Sequence, residues 1–370
     1  MSGGDPSGDL TGRLKRHIRS HGPMTIAAFM AMALHDPRAG YYARRQPLGA
    51  PGDFVTAPEI SQIFGELIGL WCADLWQRMG RPDPVVVVEL GPGRGVLFED
   101  FLRAASGVAG FRDAARLHLV EASPLLRAEQ QRRLAAADPI WLSQPDQIPD
   151  GPLLLVANEF LDALPIRQLV RGGEHWAERL VALDADGRLC FAQGPESRAL
   201  TLLVAPERCR DPPGTIVELC PAATALASSL AERLHCQPGA ALFIDYGYTE
   251  CGPGSTLAAI GGHQPAGILG APGTADLSAH VDFAAFAFAA KSGGASVYGP
   301  APQGDFLCAL GAELRLAALL QQARPEQRVA LETGLRRLID PAEMGTLFKV
   351  LAITSPGLPA PVGFTDGVPT

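Results

Sequence analysis

The sequence lacks several features that would assign it to a common class of protein. No apolar run reaches the about 18 residues that a membrane-spanning helix requires, so we predict no membrane span. Basic residues are outnumbered, with 31 Lys and Arg against 39 Asp and Glu, and they form no strongly basic block. Because nucleic-acid phosphates are bound by clustered Lys and Arg, this balance argues against a nucleic acid as the main partner.

Patterns that bind metals or form disulfides are also missing. The seven cysteines are scattered, odd in number and without a C-x-x-C pair. The eight histidines form neither H-x-H nor H-E-x-x-H. These absences predict no metal site, no disulfide framework and a reducing compartment. Residues 1–9 carry acids and no apolar segment, so we predict neither a signal peptide nor an organelle presequence, and we expect a cytoplasmic location.

What the sequence does contain is an apolar stretch that runs directly into glycines. Residues 85–90 are rich in valine and predict a strand buried on both faces of a parallel sheet. Glycines follow at alternate positions, and 96–103 has apolar residues at helical spacing. A strand, a glycine turn and a helix bring backbone N–H groups against a nucleotide-like ligand. The candidate cofactor-binding residues of this turn are Glu89, Gly91, Gly93 and Gly95.

Details of the turn indicate which ligand it binds. A dinucleotide fingerprint requires Gly or Ala three residues after the second glycine, and Val96 stands there instead. The turn resembles the first motif of class I S-adenosylmethionine (SAM) methyltransferases. The next predicted strand, 116–121, ends in Glu121, where a carboxylate accepts hydrogen bonds from both ribose hydroxyls. The alternative is that the glycines only form a tight turn and that Glu121 caps a helix.

Alternating helices and apolar strands predict an α/β fold with a parallel, doubly wound, Rossmann-like sheet of seven strands, as in class I SAM methyltransferases. The final strand, near 347–354, is expected to insert antiparallel at the edge of that sheet. The predicted division of the chain is an N-terminal helical extension and lid (1–84), the first half of the SAM-binding domain (85–165), a β-rich insertion (166–214), and the second half with a helical insertion (215–370).

A polar helix start precedes the first strand of the predicted sheet. Thr56 and Glu59 have the spacing of a capping box, and the apolar face that follows predicts one long helix. Capping alone would explain both residues. Because helix N-termini attract anionic groups such as a carboxylate, we also count Thr56 and Glu59 as candidate cofactor-binding residues.

The candidate catalytic residues follow the fourth predicted strand, 151–159. In an open parallel sheet the ligand lies beyond the carboxyl ends of the strands, which brings Asn158, Glu159 and Asp162 to the cofactor. If the methyl acceptor is a guanidinium, it needs acids that orient it and accept a proton, and we assign this role to Glu159 first and Asp162 second. The alternative is that Asp162 caps a helix and Glu159 contacts SAM. Asn158 and Ser123, the predicted cap of the helix after Glu121, are further candidate cofactor-binding residues.

His280 and Asp282 lie just before another predicted helix. They could form an acid–base pair on the substrate side. An N-cap next to a buried histidine also explains them, and the sequence favours this interpretation.

Taken together, these motifs resemble the MidA family of SAM-dependent methyltransferases, which is related to a mitochondrial complex I assembly factor. The resemblance runs from about residue 25 to 354 and rests on 52–62, 89–95, 120–124, 158–165, 244–247, 275–283 and 303–306. It implies a class I fold, SAM as methyl donor, and a protein arginine as acceptor, with a respiratory complex I subunit as target.

Three functions remain open at this stage. The first is a SAM-dependent protein arginine N-methyltransferase. The second is a methyltransferase for a small molecule or for another side chain. The third is an assembly factor that binds SAM without catalysis. The β-rich insertion is also a candidate surface for a homodimer.

Overall fold

The computed structural model describes residues 10–44, 56–250 and 254–364, so the motif residues 52–55 and residues 1–9 lie outside the described part. Its helices are α1 (Leu10–His21), α2 (Ile26–His35), α3 (Tyr41–Arg44), α4 (Ala57–Ile60), α5 (Gln62–Arg78), α6 (Val96–Ala105), α7 (Phe111–Ala114), α8 (Pro124–Arg133), α9 (Arg198–Thr201), α10 (Pro221–Cys236), α11 (Phe283–Ser292), α12 (Gln303–Ala309), α13 (Ala312–Gln322), α14 (Pro325–Ile339) and α15 (Met344–Leu347).

Within the described residues, the strands form three sheets. They are β1 (Met24–Thr25), β2 (Val85–Leu90), β3 (Ala115–Val120), β4 (Ile140–Leu142), β5 (Leu153–Asn158), β6 (Arg167–Arg171), β7 (Trp176–Leu183), β8 (Leu189–Ser197), β9 (Ile216–Leu219), β10 (Gly239–Tyr248), β11 (Ala258–Gly261), β12 (Gln264–Pro265), β13 (Asp276–Ser278), β14 (Val281–Asp282), β15 (Ser296–Pro302) and β16 (Phe348–Thr354).

The central sheet has the order β15-β16-β10-β5-β2-β3-β4, with the two-residue β14 pairing at the end of β10. The pairs from β10 to β4 are parallel, and β16 is antiparallel to both of its neighbours. This is the predicted doubly wound, class I arrangement. The last strand, β16, is antiparallel as predicted, but the prediction that it forms the edge of the sheet is wrong. The edge strand is β15, which pairs with the outer side of β16 (Val297 with Ile353).

The valine strand is buried because helices cover both faces of the sheet. All six residues of β2 are buried. Val85 and Val87 belong to one apolar cluster, and Val86 and Val88 belong to a second. The first cluster includes residues of α5, α6 and α14, and the second includes residues of α10 and α11. Alternating side chains therefore pack into two cores, as expected for a central parallel strand.

A second sheet forms beside the first, from β6, β7, β8 and β9 together with β1. β9 lies beyond residue 214, where the predicted insertion ends, and pairs with β6. β1 comes from the N-terminal segment and pairs with β7. A third apolar cluster joins α1 and α2 to Val181 of this sheet. The N-terminal helices thus pack on the β-rich unit.

Within the described ranges, no helix is long and apolar enough to cross a membrane. The same ranges contain no group of His, Cys, Asp and Glu side chains that could hold a metal ion.

Candidate active site

The glycine turn adopts a backbone conformation that other residues rarely take. Gly91, Gly93 and Gly95 have φ angles of 62°, 52° and 79°. A Cβ on Gly91 would lie 3.0 Å from the ring of Phe160, which closes that side of the turn. The Gly91 N–H donates to the carbonyl of Val120 on the neighbouring strand (3.0 Å). The turn is therefore anchored between β2 and β3, at the carboxyl ends where ligands of such sheets bind.

Glu89 is a buried carboxylate with an unused oxygen. Its side chain is 3% exposed, and Oε2 has no hydrogen-bond partner among the described residues. Burial raises the pKa of Glu89 to about 8, and the nearby charge of Glu121 adds to the effect. An unpartnered buried carboxylate oxygen is costly, so it points to a ligand that donates a hydrogen bond or carries positive charge.

Glu121 is held at the end of β3 by its own neighbours. Oε1 accepts from the Ser123 N–H (2.7 Å), and Oε2 accepts from Nε2 of Gln130 (3.2 Å). Gln130 also donates to the Gly93 carbonyl (2.7 Å) and accepts from the indole of Trp141 (2.9 Å). Burial raises the pKa of Glu121. Gln130 thus ties the glycine turn to the acid, a role that sequence analysis missed because Gln130 lies in a polar run without a motif.

Ser123 acts as the predicted cap of α8. Its hydroxyl accepts from the Leu126 N–H (3.4 Å) and donates to the Tyr42 carbonyl (2.7 Å). It therefore connects α8 with α3. The cofactor contact predicted for Ser123 stays a prediction.

The polar helix start differs from its prediction. Thr56 precedes α4, but its side chain makes no capping hydrogen bond. The helix stops at Ile60, and Ser61 caps α5 instead, accepting from the Ile63 N–H at 3.3 Å. The predicted capping box and single long helix are therefore wrong. The first N–H of α4, that of Ala57, donates to Glu159 (3.2 Å), so a carboxylate distant in sequence replaces the local cap.

Glu59 is engaged by an arginine of the glycine turn. Arg94 lies 3.4 Å from Glu59 and 2.6 Å from Glu129. This arginine was not among the predicted site residues, although it stands between Gly93 and Gly95. It connects α4 and α8 across the turn.

Asn158 and Glu159 lie where β5 ends. Glu159 has a φ of 49°, and its Oε1 accepts from Ala57 N–H and from Nδ2 of Asn158, each at 3.2 Å. Oδ1 of Asn158 is buried and has no partner in the part of the chain that the structure describes. Burial raises the pKa of Glu159 to about 7, and the charge of Asp162 contributes. The strained φ at Glu159 is typical of a functional position.

Asp162 lies close to Glu159. Its Oδ2 accepts from the hydroxyl of Tyr246 at 2.6 Å. Burial raises the pKa of Asp162 to about 6, and the Tyr246 hydrogen bond opposes the rise. The predicted catalytic residues Glu159 and Asp162 are therefore neighbours. The alternative role of Asp162 as a helix cap does not occur, since no helix follows it before β6.

The loop that carries both acids is shaped by Asp245, which is fully buried on β10. Its Oδ2 accepts from three successive N–H groups, those of Phe160, Leu161 and Asp162, at 2.9–3.2 Å. Its Oδ1 accepts from the Tyr246 N–H (2.9 Å). The carboxylate replaces the secondary-structure partners that this irregular segment lacks.

We expect Asp245→Ala to lower the free energy of unfolding by about 2 kcal/mol, because three N–H groups lose their shared acceptor. Chemical denaturation followed by circular dichroism measures the change. Asp245→Asn retains an acceptor and should lose less. Equal stability of the Ala variant and the wild type would contradict this role of Asp245.

His280 and Asp282 have different roles. Oδ1 of Asp282 accepts from the Ala285 N–H (2.9 Å) and caps α11, as one of the two interpretations predicted. The His280 ring is half-buried and meets Tyr246 edge to face, with ring centres 5.4 Å apart and planes at 82°. Burial lowers the pKa of His280.

Comparison with known proteins agrees with this geometry. A family model described as "Putative S-adenosyl-L-methionine-dependent methyltransferase" matches residues 67–301. The mitochondrial protein arginine methyltransferase NDUFAF7 of Xenopus laevis is 36% identical over 363 residues, covering 91% of this chain and 82% of that protein. The human protein of the same name is 34% identical and covers 95% of this chain and 86% of its own length.

A solved structure also matches over nearly the whole chain. It is the crystal structure of a protein from Burkholderia thailandensis, described as "a COG1565 superfamily member and likely methyl transferase", bound to S-adenosyl-homocysteine. The TM-score is 0.82 at 29% identity, and the match covers 97% of this chain and 95% of that chain.

The relatives that are similar in sequence are named as mitochondrial proteins, so the prediction of a cytoplasmic location is wrong. The prediction rested on scattered cysteines and on residues 1–9. Unpaired thiols fit every compartment that keeps thiols reduced, and they do not separate the cytoplasm from the interior of a mitochondrion.

Proposed function

Because the chain belongs to a family of SAM-dependent methyltransferases, we propose that it methylates the guanidinium of an arginine in a partner protein. The observation that carries the proposal is the pair of neighbouring acids, Glu159 and Asp162, at the strand end beside the glycine turn. A guanidinium stays positively charged at neutral pH and carries five N–H donors. Such a cation would stabilise the ionised forms of the two carboxylates, whose pKa values burial raises.

The residues at the ends of β2, β3 and β5 fit SAM. The support is the glycine backbone at Gly91, where a Cβ would meet Phe160, and the unpartnered buried oxygens of Glu89 and Asn158 within the described ranges. SAM supplies an electrophilic methyl group on a positively charged sulfonium. Glu121 would accept hydrogen bonds from the ribose hydroxyls through the second lone pairs of its oxygens. The full set that we propose for the cofactor is Glu89, Gly91, Gly93, Gly95, Glu121, Ser123, Asn158, Thr56 and Glu59.

In this proposal the two acids bind and orient the acceptor. Glu159, held by Ala57 and Asn158, localises the positive charge of the guanidinium and takes the proton that its methylated nitrogen loses. Asp162 binds a second nitrogen of the same group. Correct placement of the nucleophile supplies much of the acceleration in an in-line displacement, so both acids act mainly through orientation.

We propose a respiratory complex I subunit as the acceptor protein. The support is the motif resemblance and the names of the relatives, which are mitochondrial protein arginine methyltransferases. A homodimer through the second sheet is a further proposal, supported by β8, which pairs only with β7 among the described strands.

Incubation of the purified protein with SAM that carries a deuterated methyl group, in a lysate of cells lacking its gene, tests the proposed acceptor. Tandem mass spectrometry should find the label on arginine side chains of a few proteins. Label on lysine, on carboxylates or only on small molecules would contradict the proposal.

The rate should depend on pH through the same acids. The pKa values of Glu159 and Asp162 are raised to about 7 and about 6, and their ionised forms bind the cation. We therefore expect kcat/KM for the acceptor to fall as the pH drops from 8 through 7 to 6. A pH–rate profile at saturating SAM measures this dependence. A flat profile from pH 5 to 8 would contradict it.

A further inference from the structure

Asp162 has one oxygen engaged and one unengaged. Oδ2 accepts the short hydrogen bond from the Tyr246 hydroxyl (2.6 Å). Oδ1 is buried and, among the residues described, has no partner at hydrogen-bonding geometry, although the backbone N–H groups of Asp162 and Ala163 lie near enough to lower the pKa of the carboxyl group. A buried carboxylate oxygen without a partner is rare in folded proteins and requires an explanation. The geometry assigns the first oxygen to the protein and leaves the second for a ligand.

Tyr246 is itself held firmly. It follows Asp245 on β10, and its ring packs edge to face against His280 (5.4 Å) and against Phe348 (5.5 Å). These two aromatic neighbours restrict the ring, so the direction of the hydroxyl is defined before any substrate arrives.

We propose that Tyr246 is a positioning residue, which fixes Asp162 so that Oδ1 receives one nitrogen of the acceptor guanidinium. This inference rests on the proposed function. At Glu159, Oε1 is also held by the protein, since it accepts from the Ala57 N–H and from Nδ2 of Asn158. In this arrangement each acid accepts a hydrogen bond from the guanidinium through one oxygen. The planar guanidinium therefore bridges two carboxylates and does not form a bidentate pair with either of them.

The site around Asp162 is rich in charge, which matters for its titration. Glu159 lies on the same loop, and Asp245 and Tyr246 lie on β10. Tyr42 of α3 faces Asp162 and donates to Asp276 of β13, and His280 packs on Tyr246. Arg337 of α14 faces Glu159, Tyr41 faces Tyr42, and Glu218 and Lys349 face His280.

Tyr246→Phe tests the inference, because it removes the hydroxyl and keeps the ring. We expect kcat to fall about tenfold, since a hydrogen bond to a charged group is lost. The acid limb of the pH–rate profile should move to higher pH, because the lost hydrogen bond lowers the pKa of Asp162. The Kd for SAM, measured by calorimetry, should not change, which also shows that the variant folds.

Tyr298→Phe is the matched control, since this tyrosine lies on the edge strand β15 and its hydroxyl contacts the Leu358 carbonyl. It should keep the wild-type profile. If Tyr246 acts through Asp162, Tyr246→Phe should cost no further activity when added to Asp162→Asn. Wild-type kcat and pH profile in Tyr246→Phe, or additive losses in the double variant, would overturn the inference. Absence of arginine methylation by the wild type would instead overturn the proposed function.

Discussion

Glu159→Gln should lower kcat for arginine methylation about 10²- to 10³-fold, a range typical of losing a positioned acid or base. The amide keeps the shape of the side chain and can still accept from Ala57 N–H. It cannot balance the positive charge of a guanidinium or take its proton. Single-turnover assays with labelled SAM and an acceptor peptide measure the rate, and calorimetry should give an unchanged Kd for SAM.

The same variant has a second readout that does not depend on the acceptor. The pKa of Glu159 is raised from 4.5 to about 7 in the folded protein, mainly by burial. Its contribution to stability is therefore present below pH 4.5 and lost as the pH rises through 7. The melting temperature of Glu159→Gln relative to the wild type should rise between pH 5 and pH 8.

Glu313→Gln on the surface of α13 provides the control, and it should leave both activity and the pH dependence of melting unchanged. Wild-type turnover in Glu159→Gln would refute the catalytic assignment. Together with a preserved biological effect, that result would favour an assembly factor that binds SAM without catalysis.

Glu121→Ala should weaken SAM binding about 100-fold, which corresponds to roughly 2–3 kcal/mol. The change removes the acceptor for the ribose hydroxyls in the proposed complex. It also leaves the Ser123 N–H and Nε2 of Gln130 without their acceptor, so the glycine turn loses one of its supports. Calorimetric titration with SAM measures the Kd without any acceptor protein.

Glu99→Ala is a suitable comparison, because Glu99 forms a surface ion pair with Arg133 (2.5 Å) and such pairs contribute about 0–1 kcal/mol. Its Kd for SAM should stay close to that of the wild type. If Glu121→Ala binds SAM as tightly as Glu99→Ala does, Glu121 does not contact the cofactor.

Sequence reasoning predicted the parts of this site that depend on one segment at a time. The valine strand, its burial on both faces and the glycine turn follow from residue type and spacing, and each is observed. Glu89 and Glu121 were assigned to neighbouring strand ends because parallel strands present their carboxyl ends at one edge. Burial raises the pKa of Glu89, and the nearby charge of Glu121 raises it further, which agrees with that placement.

Errors arose where a local pattern competed with a distant partner. Thr56 and Glu59 have the spacing of a capping box, but Glu159, 102 residues after Ala57, accepts the N–H at the helix start. Glu59 pairs with Arg94 instead. Local spacing identifies a possible cap, and only the folded chain determines which acceptor lies nearer.

By itself, the sequence determined the class of fold, the glycine turn after the valine strand and the acids at the neighbouring strand ends, because hydrophobic periodicity and backbone restrictions act over a few residues. The tertiary structure alone decided how those acids are held. Asp245 binds the loop 83–85 residues before it, Tyr246 binds Asp162 84 residues away, and Gln130 joins Gly93 to Glu121. Burial raises the pKa values of Asp162 and Asp245, and burial depends on the packing of the whole chain, which no local sequence pattern contains.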